Sequence, residues 1–158
     1  MLHITPSTFY NTGFCGPANI FLESAIIITN LTSPGFPALY PDNLDCHWVV
    51  VAADDNYVVV ARVLFFHLEK GFDYLTIGDG GDVEDKSSAI ASLTGSLKVS
   101  ALASSISNMW MALTTDSTGH LEGYRFELEQ MPATDFDGNL IILYYVNPPI
   151  VVGMLNCP

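Results

Sequence analysis

Apolar positions along the chain fall into short blocks, each closed by Gly, Pro, Asp or Asn. Residues 46–52 and 57–68 are dense in Val, Phe and Leu and are separated by Asp54-Asp55-Asn56. Tyr74, Leu75 and Ile77 continue this β-type composition up to the turn signal Gly78-Asp79-Gly80-Gly81. Ile26-Ile27-Ile28 is a short strand candidate, residues 89–95 begin a further element, and residues 104–115 read as a buried strand with Ile106, Met109, Trp110, Met111 and Leu113 as its apolar positions. In residues 123–130, Tyr124, Phe126 and Leu128 alternate with Arg125, Glu127 and Glu129, the pattern of a strand with one wet face. Three prolines keep residues 33–41 from being a central strand, so they form an ordered edge or loop with Phe36 and Tyr40 packed on the body and the Tyr40 hydroxyl turned outward.

Short strands at regular spacing predict an all-β fold, a two-sheet antiparallel sandwich, with no helix of ordinary length. Residues 46–52 and 57–68 are expected to pair as a hairpin. The stretch 65–80 is the centre of interest because it sets Glu69 and Asp73 between two apolar runs. Its β-branched and aromatic content and Gly71 disfavour a helix and predict a second hairpin whose turn carries both acids.

Composition narrows the function. Hydrophobic residues make up 49% and charged residues 14% of the 158 positions, which fits a folded domain and excludes a disordered or coiled-coil chain. A formal charge of −12 opposes binding to nucleic-acid phosphate or anionic lipid. Cations or basic proteins are the natural partners, although acidity also serves simply to keep an apolar-rich surface soluble. Cys15, Cys46 and Cys157 form no CxxC and no zinc spacing with histidine, and their odd number fits one disulfide plus one cysteine left over. The sequon Asn30-Leu31-Thr32 supports an extracellular chain glycosylated at Asn30. Residues 1–14 lack the charged and apolar parts of a signal peptide and read as a lead-in, the chain as a fragment. Asn147-Pro148-Pro149 splits the apolar residues 141–155 into runs too short to insert in a membrane as a helix. Strand alternation stops near Met131, so residues 132–158 are expected to be a linker or extension outside the sandwich core, with residues 141–145 left to add an edge strand or pack on the outside.

Taken in order, a set of small motifs resembles the CUB domain, the extracellular module of complement proteases, tolloid-type proteases, cubilin and spermadhesins. The matching pieces are Cys15-Gly16, Ser33-Pro34-Gly35-Phe36-Pro37 with Tyr40-Pro41, Cys46-His47-Trp48, Phe66-His67-Leu68-Glu69, Phe72-Asp73-Tyr74-Leu75 with Ile77 and Asp79-Gly80, Leu93 and Gly95, Ser107-Asn108-Met109-Trp110, Thr115-Asp116-Ser117, and Gly123-Tyr124. The resemblance covers about residues 15–130, with the domain expected over residues 15–131, and implies a jelly-roll-like sandwich of two antiparallel sheets with a Cys15–Cys46 disulfide. In calcium-binding members three acids and a main-chain oxygen hold one Ca²⁺; by position these are Glu69, Asp73, Asp116 and the carbonyl of Thr118. The resemblance also gives Tyr40 a place beside the site, positioning the first acid and receiving a ligand's lysine, with Glu69 and Asp116 as the acids that face the partner. Two departures stand out: the family's second disulfide falls on Lys70 and Thr94, and the turn between Glu69 and Asp73 is shorter than in the complement-protease type.

Other constellations carry less. The acids are also ordinary turn residues, since Asp bonds local amides in turns. His67-Leu68-Glu69 lacks the Cys half of a zinc deaminase signature, and Asp135, Asp137 and Asn139 lack the Gly and Glu of an EF-hand loop. No nucleophile elbow, HExxH or P-loop occurs, so no enzyme is expected. The chain is expected to be a secreted, non-catalytic, Ca²⁺-dependent module binding an extracellular protein through an exposed Lys or Arg, with further domains of a parent chain as other partners. The alternatives are a metal-free structural or substrate-presenting appendage of a secreted protease and a glycan-binding module.

Overall fold

The computed structural model describes residues 15–24, 28–97 and 101–136. Nine strands are present among them: β1 (Asn19–Phe21), β2 (Thr29–Thr32), β3 (Asp45–Val51), β4 (Tyr57–His67), β5 (Tyr74–Asp79), β6 (Ala89–Leu93), β7 (Ala101–Ala103), β8 (Asn108–Thr114) and β9 (Gly123–Pro132). They form a five-stranded sheet in the order β1-β3-β8-β5-β6 and a four-stranded sheet in the order β2-β9-β4-β7. The sandwich is the expected one. The only helical elements among the described residues are single turns at Lys86–Ser88 and Ala133–Asp135.

Side-chain parity builds the core. Cys46, Trp48 and Val50 of β3 and Met109, Met111 and Leu113 of β8 face Ala61 and Phe66 of β4 and Tyr124, Phe126 and Leu128 of β9. Tyr124 is the aromatic centre, with ring centroids 6.5 Å from Trp48, 6.2 Å from Phe66 and 5.3 Å from Phe126. The Cys15–Cys46 disulfide is formed, with Cα atoms 5.5 Å apart. It starts β1 and β3 from the same end, and this explains the one departure from an antiparallel fold: β1 runs parallel to β3, Asn19 beside Val49.

Three further expectations change. Residues 46–52 and 57–68 do not pair, because β3 and β4 lie in opposite sheets. The link between them crosses the sandwich, and Gln130, buried on β9, accepts a hydrogen bond from the Ala53 N–H at 2.7 Å to fix that crossing. β4 and β5 are likewise in opposite sheets, so Glu69 and Asp73 sit on an inter-sheet arch and not in a hairpin turn. Finally, the strand expected over residues 104–115 starts only at Asn108, and a short strand that was not expected precedes it. Ala101–Ala103 belongs to the four-stranded sheet and Asn108–Thr114 to the other, and Ser104 turns the chain by accepting from the Val59 N–H at 2.8 Å and donating to the Ile106 carbonyl at 2.6 Å. Ile106, assigned to the apolar face, is 51% exposed. Of the Ile26-Ile27-Ile28 candidate, the first two lie outside the described residues, and Ile28 is exposed and precedes β2.

The loop between β5 and β6 covers a second apolar surface. Trp110, on the outer side of β8, packs with Val83 and Ala112, and its indole N–H donates to Ser88 Oγ at 2.8 Å. Gly78 supplies the space, since a Cβ there would overlap the indole.

The Tyr124 hydroxyl is buried with no hydrogen-bond partner among the described residues, and burial raises its ionisation well above that of an ordinary phenol. A buried unpaired hydroxyl costs about 1–3 kcal/mol. Tyr124→Phe is therefore expected to keep the ring packing and hold or raise the unfolding free energy by up to about 1 kcal/mol; urea denaturation that shows a loss of that size instead would mean the hydroxyl has a stabilising partner.

Candidate functional site

The acidic site forms where four loop segments meet at one end of the sandwich, two of them from the β2–β3 connection. The first is residues 33–41, which follow β2 and are fastened along β9: Ser33 N–H donates to the Tyr124 carbonyl at 3.0 Å, Tyr124 N–H to Ser33 Oγ at 3.0 Å, and Tyr40 N–H to the Leu121 carbonyl at 2.9 Å. Gly123, at φ 87°, admits Ser33, whose side chain fills the place of a Cβ. This fastening turns Tyr40 inward, 1% exposed, so its hydroxyl does not face outward as expected. It donates to Asp73 Oδ2 at 2.6 Å and accepts from the Glu69 N–H at 3.0 Å. Burial, then the bond to Asp73, raises the Tyr40 phenol far above its ordinary value, so it remains a donor.

The second loop is the arch between β4 and β5. Asp73 N–H donates to the Glu69 carbonyl at 3.1 Å. The position of the absent cysteine partner, Thr94, pins the same turn: its hydroxyl donates to the Glu69 carbonyl at 3.1 Å and accepts from the Gly71 N–H at 2.8 Å. Hydrogen bonds thus fasten the arch where the family resemblance places a disulfide. The third loop joins β8 to β9. Asp116 donates its N–H to Asp73 Oδ1 at 2.9 Å, and its own Oδ1 accepts from the Thr118 N–H at 2.9 Å. The fourth, between Tyr40 and β3, donates the Asn43 N–H to the Asp116 carbonyl at 2.7 Å.

These contacts bring Glu69, Asp73 and Asp116 together, with one carboxylate oxygen of each within 4.8 Å of the others. The three are not equivalent. Asp73 is fully buried and both its oxygens accept hydrogen bonds, so its charge is held in place. Glu69 Oε2 is buried without a partner among the described residues. Burial first, then the charges of Asp116 and Asp73, raises the Glu69 carboxyl above the usual range. Gly119, at φ 78°, allows this approach, because a Cβ there would occupy the space of the Glu69 carboxylate. None of the ion pairs among the described residues involves the three acids. An open depression of about 590 Å³ lies alongside, lined by His67, Glu69, Lys70, Ser96, Gly119 and His120.

The donor set suits a hard cation: three carboxylates, one oxygen lacking any partner, and a glycine that leaves room for it. Asn30 is exposed on β2, an edge strand, where its amide oxygen accepts weakly from Arg125 at 3.4 Å. The sequence reading missed Gly119 and the stapling role of Thr94. Glycine after an Asp turn is common in any loop, and a threonine hydroxyl's partners are set by the fold.

Comparison with known proteins agrees with this architecture. The CUB domain family matches residues 23–128. Neuropilin-2 of Rattus norvegicus is 28% identical over 115 residues, covering 69% of this chain and 12% of that protein. The chain thus spans about an eighth of the length of this relative. Among solved structures, the full extracellular region of zebrafish Gpr126/Adgrg6 aligns with a TM-score of 0.59 at 23% identity, covering 73% of this chain and 15% of that one. The MASP-1 CUB2 domain bound to Ca²⁺ aligns with a TM-score of 0.58 at 16% identity, covering 70% of this chain and 96% of that one. Both likenesses are of fold.

The raised Glu69 carboxyl fixes the sign of a pH effect. Above the ordinary Glu value of about 4.3 the unfolded chain binds fewer protons than the folded chain, so this group makes metal-free stability fall as pH rises through the raised value. In chelator, Glu69→Gln is expected to remove that part of the fall and to be more stable than wild type at neutral pH. Denaturant titrations across acidic to neutral pH read this directly; identical pH slopes for the two proteins would contradict the assignment.

Proposed function

The chain belongs to the CUB domain family, and from that premise we propose that it is a non-catalytic extracellular protein-binding module whose acidic loops bind Ca²⁺ and present carboxylates to a basic side chain of the partner. The observation that carries this reading is the grouping of Glu69, Asp73 and Asp116, one carboxylate oxygen of each within 4.8 Å of the others, with Glu69 Oε2 buried and without a partner among the described residues. A cation supplies what that oxygen lacks and offsets the repulsion among three carboxylates. Glu69, Asp73 and Asp116 would hold the ion, with the Thr118 carbonyl completing the protein ligands. Tyr40 acts as a positioning residue, since its hydroxyl is committed to Asp73 and to the Glu69 N–H. A partner's ammonium or guanidinium would then meet Glu69 and Asp116 from the open depression, gaining charge-assisted hydrogen bonds.

An extracellular setting is supported by the Cys15–Cys46 disulfide and by the likeness to an extracellular region, and the exposed Asn30 sequon would carry a glycan there. We place the module at residues 15–131, with the flanking segments as connections to other parts of a longer chain. The metal-free appendage reading draws on Asp73, whose two oxygens are already satisfied by the protein.

Calcium binding to the folded state alone stabilises it by about 2.7 kcal/mol at a hundredfold excess over Kd. The melting temperature is therefore expected to rise between chelator and millimolar calcium, and calcium is expected to be required for retention on a lysine-bearing resin. Asp116→Ala should abolish both effects, whereas Asp82→Ala, in the loop over Trp110, should retain both. A wild-type protein with no calcium-dependent melting shift would favour the appendage reading.

A further inference from the structure

On the outer face of the four-stranded sheet, an apolar patch lies one row of residues away from the Asn30 sequon. β4 has an extra residue, Leu64, between Val63, which pairs with Phe126, and Phe65, which pairs with Arg125. Bulges of this kind re-aim side chains. Two successive apolar residues are exposed here, Leu64 at 49% and Phe65 at 39%, where strict alternation would bury one of them. Phe36, from the segment that follows β2, packs its ring on Phe65 with centroids 5.7 Å apart. Grouped apolar side chains on an outer face, unlike single ones, mark a surface that has an occupant.

We propose that the occupant is the glycan of Asn30 on the same chain, whose inner sugars lie over Phe65, Leu64 and Phe36. This rests on the extracellular, glycosylated reading above. Strand register sets the geometry. Asn30, Glu127 and Arg62 form one row across β2, β9 and β4, and Thr32, Arg125 and Phe65 form the next row on the same face. Asn30 and Phe65 are therefore two strands and two residues apart, about 12 Å, a gap that a few sugar rings span. Between them stands Arg125, exposed, whose guanidinium makes among the described residues only a long hydrogen bond, 3.4 Å, to the Asn30 amide oxygen. That bond turns Asn30 toward the Phe65 row and leaves its Nδ2 for the sugar linkage. Attachment joins Nδ2 to the anomeric carbon of an oligosaccharide carried on a lipid diphosphate; Nδ2 loses a proton and the lipid diphosphate leaves. A sugar suits both parts of this surface. One face of a pyranose ring bears C–H groups that pack on the electron-rich face of an aromatic ring, and its hydroxyls accept from a guanidinium. A second copy of the chain suits it less, because each copy carries a formal charge of −12.

The test uses the full chain, isotope-labelled at Phe and Leu and secreted from a eukaryotic host that adds N-linked glycans. Mass spectrometry is expected to find Asn30 occupied. Nuclear Overhauser contacts are then expected between sugar ring protons and the ring protons of Phe65 and Phe36 within one molecule. Binding of a hydrophobic fluorescent dye is expected to rise severalfold in Asn30→Gln, and Phe65→Ser added to that variant is expected to remove the rise. An unoccupied Asn30 would overturn the proposal together with the glycosylated reading on which it rests. An occupied Asn30 with no contact between sugar and aromatic protons would overturn the proposal alone. So would dye binding unchanged in Asn30→Gln, or contacts to Phe65 found only between differently labelled copies, which would make a second chain the occupant.

Discussion

The hydrogen bond from Tyr40 to Asp73 is the contact on which the acidic end of this sandwich depends. Asp73 is fully buried, and a buried carboxylate without partners is costly enough to protonate or to disrupt its surroundings. Here it receives one hydrogen bond from the residue 33–41 segment and another from the Asp116 amide. The Tyr40 hydroxyl in turn accepts from the Glu69 amide. One phenol and one carboxylate therefore fix three loops that share no strand. Glu69 and Asp116 are held by their backbones, with one side-chain oxygen of each within 4.8 Å of the other.

This arrangement differs from an ordinary set of acidic turns. In a turn that merely closes the chain, each carboxylate satisfies nearby amides, as Asp116 does for Thr118. Glu69 departs from that pattern: its buried oxygen has no donor, its carboxyl is raised by burial and by like charge, and Gly119 makes room for it. The unfavourable electrostatics reside in one group, and a bound cation would relieve them. Topology is what concentrates the charge. Because β4 and β5 lie in opposite sheets, the segment carrying Glu69 and Asp73 arches over the end of the core and meets the β8–β9 loop there.

Much of the fold was legible in the sequence, and the reason is parity. From Cys46 to Val50 in β3 and from Tyr124 to Leu128 in β9 every second side chain is apolar and buried, so strand existence and inner face follow from the residues themselves. Strand partners were not legible. A period of two says which side chains share a face but not which sheet a strand joins, so successive strands β3 and β4 looked like a hairpin and prove to be a crossing. The strand read over residues 104–115 began four residues early, because the turn before β8, bent by the buried hydroxyl of Ser104, carries Ile106 amid its polar residues, and the three-residue β7 was too short to read. At the acidic site, the family motif located the three acids that the structure brings together. The inward turn of Tyr40 was hidden because it follows from how residues 33–41 lie along β9, a long-range contact with no local signature.

The central claim is that the three acids form a cation site, and isothermal calorimetric titration of calcium into the chelator-treated chain tests it most directly. The account predicts saturable binding of one Ca²⁺ per chain, weakened about 10- to 100-fold in Tyr40→Phe because the hydroxyl that orients Asp73 and Glu69 is gone. No saturable heat at millimolar calcium, or an isotherm unchanged by Glu69→Gln, would contradict it.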